Sequence, residues 1–474
     1  MYSNYEFDKT LVTCVPSPRQ LAVEEMEFYA FAHFTVNTFT DKEWGDGTEP
    51  ESVFNPTAFD ADQWVDALKS AGIGGLILTC KHHDGFCLWP SRYTEHCVKN
   101  SPWKNGQGDI VREVSDACRR RGIKFGVYLS PWDRNCALYG QGKPYDDYFC
   151  GQLTELLTDY GDIFTVWFDG ACGEGSNGKK QVYDFDRYYA LIRELQPDAA
   201  ISICGPDIRW CGNEAGDTRE SEWSTLPASL LSPEEVAARS QTADDEEFRN
   251  LKIKEDERDL GSRRVLRYAK ELAWRPAEAD TSIRPGWFYH AHEDDKVKSL
   301  DKLLDIWYRT VGGNCTLLLN IPPDRRGLFH ENDVARLAEM GDYLRKTFAH
   351  NLAVDAVFSA DKCDGVHLPD NMKTDGYDSY YKPDDGENAV TLTVTLPQTK
   401  TVSHIVLKEC IPQSQRIESY TMEVKTADGW REVAAGTTVG YQKIARFDAV
   451  ETDEIRIRIT DSRVCPVISF IGIY

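Results

Sequence analysis

The amino-acid sequence predicts an α/β protein in which a (β/α)8-type barrel is followed by an antiparallel β-sandwich. Apolar runs recur about every 40 residues in the first part of the chain, and amphipathic helical patterns fill the gaps between them. Beyond residue 350 the apolar period changes from 3.6 to 2. The chain has 474 residues, against a prior of about 150 per domain, so two or three domains are expected.

Five near-continuous apolar runs are typical of strands that are covered on both faces. They are residues 28–34, 75–80, 123–130, 163–169 and 199–204. Helical patterns precede or follow them, and glycines stand where these helices should end: Gly72, Gly122 and Gly161. Repeated strand–helix units indicate a parallel sheet, and their number favours a barrel over a doubly wound sheet.

After the fifth strand the pattern loosens through an acidic, Arg-rich segment at 225–264 and then resumes. A strand at 315–321 and a last helix at about 331–347 close the barrel, which we assign to residues 1–348. The C-terminal domain, residues 349–474, alternates apolar and polar side chains, as in Val390-Thr-Leu-Thr-Val394. Half-buried antiparallel strands show this alternation, so a β-sandwich is expected.

Composition excludes several classes of function. The chain has 54 Lys and Arg against 77 Asp and Glu, a formal charge of −23, which disfavours nucleic acid and anionic lipid as partners. Its apolar runs are too short to span a membrane, and its first twenty residues do not resemble a secretory signal. The 14 cysteines form no Cys-x-x-Cys pair and are expected to be mainly reduced thiols. A cytoplasmic location is therefore expected, or a secreted or periplasmic one if a leader has been removed.

In a barrel, reacting groups lie on the loops that follow the carboxyl ends of the strands. Polar side chains occur at those positions in all five predicted strands. They are His33 after the first strand, His82 and His83 after the second, Tyr128 near the end of the third, Asp169 at the end of the fourth, and Glu214 in the loop after the fifth. We therefore expect these side chains to converge at one mouth of the barrel.

Two carboxylates at such positions suit glycoside hydrolysis, in which one attacks or activates water and the other protonates the leaving oxygen. The aromatic content of 11% also suits sugar binding. A metal site built from histidines and an aspartate is the alternative, but the neighbours His82 and His83 are not expected to reach one ion easily. Neutral imidazoles that bond sugar hydroxyls fit better, so no metal and no cofactor are predicted.

Four motifs resemble glycoside hydrolase family 29, the retaining α-L-fucosidases, over about residues 20 to 345. They are Phe54-Asn-Pro-Thr-Ala-Phe-Asp-Ala-Asp-Gln-Trp64, Cys80-Lys-His-His-Asp-Gly-Phe86 with Leu88-Trp-Pro-Ser91, Gly126-Val-Tyr-Leu-Ser-Pro-Trp132, and Val166-Trp-Phe-Asp-Gly170. The resemblance implies a double displacement on fucosylated oligosaccharides or glycoconjugates with Asp169 as nucleophile.

The sequence Gly212-Asn213-Glu214 resembles the branch of that family that cleaves α-1,3 and α-1,4 fucosyl linkages in Lewis-type glycans. This resemblance implies that Glu214 is the acid/base, with Glu220 and Glu222 as rivals. It also implies a set of fucose-binding residues. They are His33, Glu43, Trp44, His82, His83, Tyr128 and Trp287.

Two further points stay open at this stage. The C-terminal domain loosely resembles discoidin-like carbohydrate-binding modules, but a purely structural domain packed on the barrel is an equal alternative. A metal-dependent barrel hydrolase, or a protein that binds fucosylated glycans without turnover, are the competing functions.

Overall fold

The computed structural model describes residues 4–230, 232–254 and 257–474. Its helices are α1 (Asn4–Leu11), α2 (Pro18–Met26), α3 (Val36–Thr40), α4 (Ala61–Ser70), α5 (Ile110–Arg121), α6 (Lys143–Asp159), α7 (Phe185–Leu195), α8 (Pro233–Arg239), α9 (Glu246–Arg249), α10 (Arg263–Leu266), α11 (Leu300–Thr310) and α12 (Glu331–Thr347). Within these residues, every helix is too short or too polar to cross a bilayer.

The strands fall into a barrel, a second sheet and one small ribbon. The first ten are β1 (Phe28–Ala32), β2 (Gly75–Lys81), β3 (Lys124–Leu129), β4 (Thr165–Phe168), β5 (Ala200–Ile203), β6 (Arg209–Trp210), β7 (Thr225–Pro227), β8 (Leu272–Trp274), β9 (Ala277–Ser282) and β10 (Cys315–Asn320). The last six are β11 (Val357–Ala360), β12 (Val390–Glu409), β13 (Ile417–Thr426), β14 (Gly429–Gly436), β15 (Lys443–Ser462) and β16 (Ile468–Ile473).

Eight strands form the barrel in the order β5-β4-β3-β2-β1-β10-β9-β6. Every neighbouring pair is parallel. A parallel bridge between Ser202 and Ile208 links the two edges, so the barrel is nearly closed. The predicted barrel followed by an antiparallel domain is therefore confirmed.

The barrel contains two strands, β6 and β9, that the apolar pattern does not predict. β6 is only two residues long. β9 has the sequence Ala-Glu-Ala-Asp-Thr-Ser, yet all six residues are buried. Its carboxyl side chains lie among indole donors, since Trp167 donates to Glu278 over 2.7 Å and Trp210 donates to Asp280 over 2.8 Å. Buried polar groups with partners replace the usual apolar run here.

Local capping sets the ends of the barrel elements. Asp109 accepts a hydrogen bond from the Arg112 N–H at the start of α5. Gly122 ends that helix with a φ of 75°, as the sequence predicts. The first strand is shorter than predicted. It ends at Ala32 because Thr35 already caps α3 by accepting from the Asn37 N–H.

The C-terminal domain is an antiparallel sheet with its own apolar core. The strand order is β11-β12-β15-β13-β14, and β16 pairs with β12. β12 and β15 are each 20 residues long, and register shifts in their pairing interrupt the ladder. Val390, Leu392 and Val394 are buried in the core while the threonines between them are partly exposed, as their alternation predicts.

This domain packs against the amino-terminal ends of the barrel strands. Tyr441 donates from its hydroxyl to Glu27, just before β1, and from its backbone N–H to Asn314, just before β10. Phe470 and Ile444 join the apolar core of the barrel. Because parallel strands share one direction, these contacts lie at the opposite end from the loops that follow the strands.

Candidate active site

A cavity opens at the carboxyl ends of the barrel strands. Its lining contains all nine residues that the sequence analysis selects. They are His33, Glu43, Trp44, His82, His83, Tyr128, Asp169, Glu214 and Trp287. Glu214, predicted in the loop after the fifth strand, follows β6 instead, and Trp287 follows β9, which the sequence analysis does not contain.

Asp169 follows β4 directly and is held by two donors. The Tyr128 hydroxyl donates to Oδ2 over 2.8 Å, and the Ala171 N–H donates to Oδ1 over 2.8 Å. Burial raises the pKa of Asp169, and the hydrogen bonds from Ala171 and Tyr128 lower it again in part. Its side chain keeps 22% exposure toward the cavity. An oriented and partly accessible carboxylate can act as a nucleophile.

His33 presents a hydrogen-bond acceptor to the cavity. Asn320 donates through its side-chain nitrogen to Ser282 and to the Trp287 carbonyl, so its oxygen faces His33 Nδ1 at 2.8 Å as an acceptor. His33 therefore carries its proton on Nδ1, and Nε2 is left with a lone pair. Burial lowers the pKa of His33 to about 4, so the imidazole is neutral.

His83 reaches the same state through a different partner. Ser130 donates its hydroxyl proton to the Trp132 carbonyl and accepts from His83 Nδ1 at 2.7 Å. Burial lowers the pKa of His83 to about 3. Its unprotonated Nε2 lies 3.7 Å from Asp169 Oδ2, too far for a direct hydrogen bond. A substrate hydroxyl between these two acceptors could donate to either.

The ligand atoms of His82, His83 and Asp169 lie within 4.8 Å of one another. Adjacency therefore does not keep His82 and His83 apart, and that expectation from the sequence is wrong. His82 Nδ1 has no hydrogen-bond partner among the described residues, and burial lowers its pKa well below 6.5. A neutral imidazole with a free nitrogen suits a sugar hydroxyl as well as a metal ion.

Glu214 lies across the cavity with an environment that favours its protonated form. Trp287 donates from Nε1 to Oε2 over 2.9 Å. Burial and the nearby charges of Asp169 and Glu43 raise the pKa of Glu214 to about 7, against the opposing effects of Trp287 and Arg249. A carboxyl that titrates near neutrality can both donate and accept a proton. The two carboxyls thus have the separate environments that an acid/base and a nucleophile require.

Glu43 is ionised and fully supported by protein donors. Its oxygens accept from the backbone N–H groups of Trp287 and Phe288 at 2.8 and 2.9 Å. His290 Nε2 lies 2.8 Å from Oε1, while its Nδ1 lies 2.8 Å from Asp41 Oδ1. Burial raises the pKa of Glu43, but these partners hold it below its usual value. Between two carboxylates the pKa of His290 rises to about 9 in spite of burial.

Aromatic rings form the walls of the cavity. Trp287 lies beside His33 with ring centroids 5.2 Å apart, and Trp44 meets His83 edge-on at 5.5 Å. A ring face next to acceptors suits an amphipathic sugar, which has apolar C–H faces and polar hydroxyls.

The lining includes several residues that the sequence analysis misses. Among them are Asp280, Ser240 and Gln241. Ser240 lies so close to Gly170 that a Cβ added there would lie 2.2 Å from the Ser240 hydroxyl oxygen. This explains why a glycine follows Asp169 in the sequence. The alternation of small and polar residues in β9 was the available signal for Asp280, whereas the segment that carries Ser240 has no periodic pattern.

The two rival carboxyls lie elsewhere. Glu220 is exposed, and Glu222 is completely buried between Arg209 and Arg219. These arginines hold the pKa of Glu222 at about 2 although burial opposes this. Neither residue lines the cavity.

Comparisons with known proteins agree over nearly the whole chain. The family model described as alpha-L-fucosidase matches residues 18–348, and the model described as F5/8 type C domain matches residues 357–468. Alpha-L-fucosidase 1 of Arabidopsis thaliana is 40% identical over 468 residues, covering 97% of this chain and 87% of that protein. A solved structure of a Ruminococcus gnavus family 29 fucosidase in complex with fucose is 30% identical with a TM-score of 0.84, covering 97% and 95% of the two chains.

Proposed function

Since the chain belongs to the α-L-fucosidase family and is a glycoside hydrolase of that type, we propose that it releases L-fucose by double displacement with retention. Asp169 attacks the anomeric carbon, and Glu214 protonates the departing glycosidic oxygen. The resulting fucosyl ester is then hydrolysed by a water that Glu214 deprotonates. The structure of the Ruminococcus gnavus relative is a complex with fucose, which supports fucose as the sugar in the cavity.

The single observation that carries this proposal is the contrast between the two carboxyls. The donors around Asp169 stabilise its negative charge, whereas burial and the charges of Asp169 and Glu43 raise the pKa of Glu214 to about 7. Formation of the ester removes the charge of Asp169. Glu214, which has by then given its proton to the departing oxygen, is therefore more stable as a carboxylate, as its second role as a base requires.

The acceptors in the cavity support the binding of fucose hydroxyls. His33 and His83 offer unprotonated nitrogens, and Glu43 offers an ionised carboxylate. Fucose has three free hydroxyls in a fucoside and one methyl group, for which Trp44 and Trp287 provide an apolar wall. His82 and Tyr128 complete the proposed set of fucose-binding residues.

We further propose a preference for branched α-1,3 and α-1,4 fucosides of the Lewis type. The resemblance around Gly212-Asn213-Glu214 supports it, and a second cavity beside Glu214 offers room for a branched leaving group. Binding energy from the branching sugar would then contribute at the transition state.

Proton NMR during hydrolysis of an aryl α-L-fucoside tests the mechanism, with α-L-fucose expected as the first product. Release of β-L-fucose first would overturn retention. The linkage preference is tested by kcat/KM on 3-fucosyl and 2'-fucosyl oligosaccharides, and a higher value for the 2'-fucosyl compound would contradict it. Treatment with EDTA separates this reaction from a metal-dependent one, since full activity should survive.

A further inference from the structure

A second cavity of about 940 Å³ joins the active site on the side of Glu214. Glu214 and Trp287 line both cavities. We call the second cavity the basic recess, because four lysines line it: Lys252, Lys296, Lys298 and Lys302. Three arginines line it as well, namely Arg249, Arg284 and Arg309.

The arginines of the recess are largely compensated by carboxylates. Arg309 pairs with Asp217 at 2.5 Å and with Asp305 at 3.0 Å. Arg249 pairs with Asp244 at 2.9 Å. These pairs fix the guanidinium groups but cancel most of their charge.

Arg284 is compensated in the same way but keeps one free donor. It pairs with Asp333 and Asp294, both at 2.9 Å. The whole side chain is buried, yet its Nη2 has no hydrogen-bond partner among the described residues. A buried donor without a partner costs free energy.

The lysines differ from the arginines in this respect. In residues 4–230, 232–254 and 257–474, none of the four forms an ion pair. Lys298 is half-buried and donates to the Ser282 carbonyl. Burial, followed by the charge of Lys302, lowers the pKa of Lys298 to about 8, although the negative charge of nearby Glu293 opposes this. Like charges that gather in a concave surface attract anions over several ångströms.

This clustering contrasts with the formal charge of the whole chain, which is −23. Glu214, Asp217 and Glu246 are the acidic residues among those that line the recess. Asp217 is paired with Arg309, and burial favours the protonated form of Glu214. Because the arginines are paired, the four lysines supply the positive charge of the recess, against Glu246.

The position of the recess relates it to the leaving group. In the proposed reaction Glu214 protonates the glycosidic oxygen, so the remainder of the glycan must extend from Glu214 away from the fucose. Trp287, which donates a hydrogen bond to Glu214, lines both the active-site cavity and the basic recess. The recess thus lies where sugars attached to the departing oxygen would be held.

We propose that the basic recess is a subsite for an anionic group, a carboxylate or a sulfate, on the glycan from which fucose is removed. The proposal rests on the proposed function and names the substrate class as acidic fucosylated glycans. Both anions accept hydrogen bonds from lysine and arginine. A carboxylate would come from a sialic acid and a sulfate from a sulfated galactose.

The test compares three substrates: α-1,3-fucosylated N-acetyllactosamine, its 3'-sialylated form and its 3'-sulfated form. At low salt, kcat/KM should be about tenfold higher for at least one acidic form, and this advantage should shrink at high salt because the lysines are partly screened. Comparison of the sialylated with the sulfated substrate shows whether the recess binds a carboxylate or a sulfate. An aryl fucoside, assayed in parallel, reports on the fucosidase activity itself.

The double variant K296Q/K302Q should reduce the ratio of acidic to neutral kcat/KM by about fivefold. The matched control is K346Q, which removes an exposed lysine at the end of α12 and should leave the ratio unchanged. An unchanged ratio in K296Q/K302Q, or cleavage of the neutral substrate alone, would overturn the subsite.

Failure of the linkage proposal can be distinguished from failure of the subsite. If the aryl fucoside is hydrolysed but no trisaccharide is, the linkage preference is wrong. The recess is then tested by inhibition of aryl fucoside hydrolysis. Sialylated or sulfated N-acetyllactosamine should inhibit more strongly than the neutral disaccharide, and K296Q/K302Q should abolish the difference. Equal inhibition by all three compounds would refute the subsite.

Discussion

The indole of Trp287 donates a hydrogen bond to Glu214 Oε2 over 2.9 Å, which joins the loop after β9 to the loop after β6. The Trp287 backbone N–H meanwhile binds Glu43. One residue therefore orients a carboxyl that is proposed to transfer protons and one that is proposed to bind fucose. The close approach of Gly286 allows this, since a Cβ there would lie 2.6 Å from Glu43 Oε1.

Replacement of the proposed nucleophile should nearly abolish turnover. D169N keeps the shape of the side chain but removes the negative charge, so kcat should fall by at least about 10³-fold. Binding of L-fucose, measured by calorimetry, should persist and serves as the control for folding. Activity within tenfold of the parent would contradict the assignment.

Glu214 should determine the alkaline limb of activity. Its pKa is raised to about 7, and the first step needs the protonated form. The value of kcat/KM should therefore fall as the pH rises through about 7, and E214Q should lack this fall.

E214A should slow natural substrates strongly, spare aryl fucosides with good leaving groups in the first step, and yield a fucosyl azide when azide is added. Absence of the azide product would argue against this role.

Glu222 should affect stability rather than chemistry. E222A leaves Arg209 and Arg219 buried without their carboxylate, which costs about 3–5 kcal/mol in the free energy of unfolding. The matched variant E220A, at an exposed site, should change it by less than about 0.5 kcal/mol. Urea titration measures both. If azide rescues E222A or E220A but not E214A, the residue replaced in the rescued variant is the acid/base instead of Glu214.

The same ion pair predicts a stability change in acid. The folded-state pKa of Glu222 is lowered to about 2, so its contribution is present above the unfolded value of about 4.3 and is lost as the pH falls toward 2.

His290 should position Glu43 through its positive charge. Its pKa is raised to about 9, so the charged contact exists below that pH and is lost as the pH rises through it. The affinity for L-fucose, measured by calorimetry between pH 6 and 10, should fall above pH 9 in the parent. In H290Q the affinity should be lower throughout and should lack this transition. The same transition in H290Q would exclude His290 as its origin.

The sequence identifies most of the site because strand ends in a barrel have fixed positions. His33, His82, Tyr128 and Asp169 each stand at the end of an apolar run, and parallel strands bring such ends to one mouth. The loops are less predictable. Glu43 and Trp287 were reached only through resemblance to a family, since no periodic pattern marks either residue.

By itself the sequence determined the class of fold, through apolar runs with helical gaps and then alternating strands, because periodicity records which faces are buried. Only the tertiary structure revealed β9, where buried carboxyls are stabilised by indoles from β4 and β6 that are distant along the chain. It also decided that Glu222 lies in an ion pair and Glu214 in the cavity. The reason is physical: the role of a carboxyl depends on its burial and on neighbouring charges, and partners far away in sequence supply both.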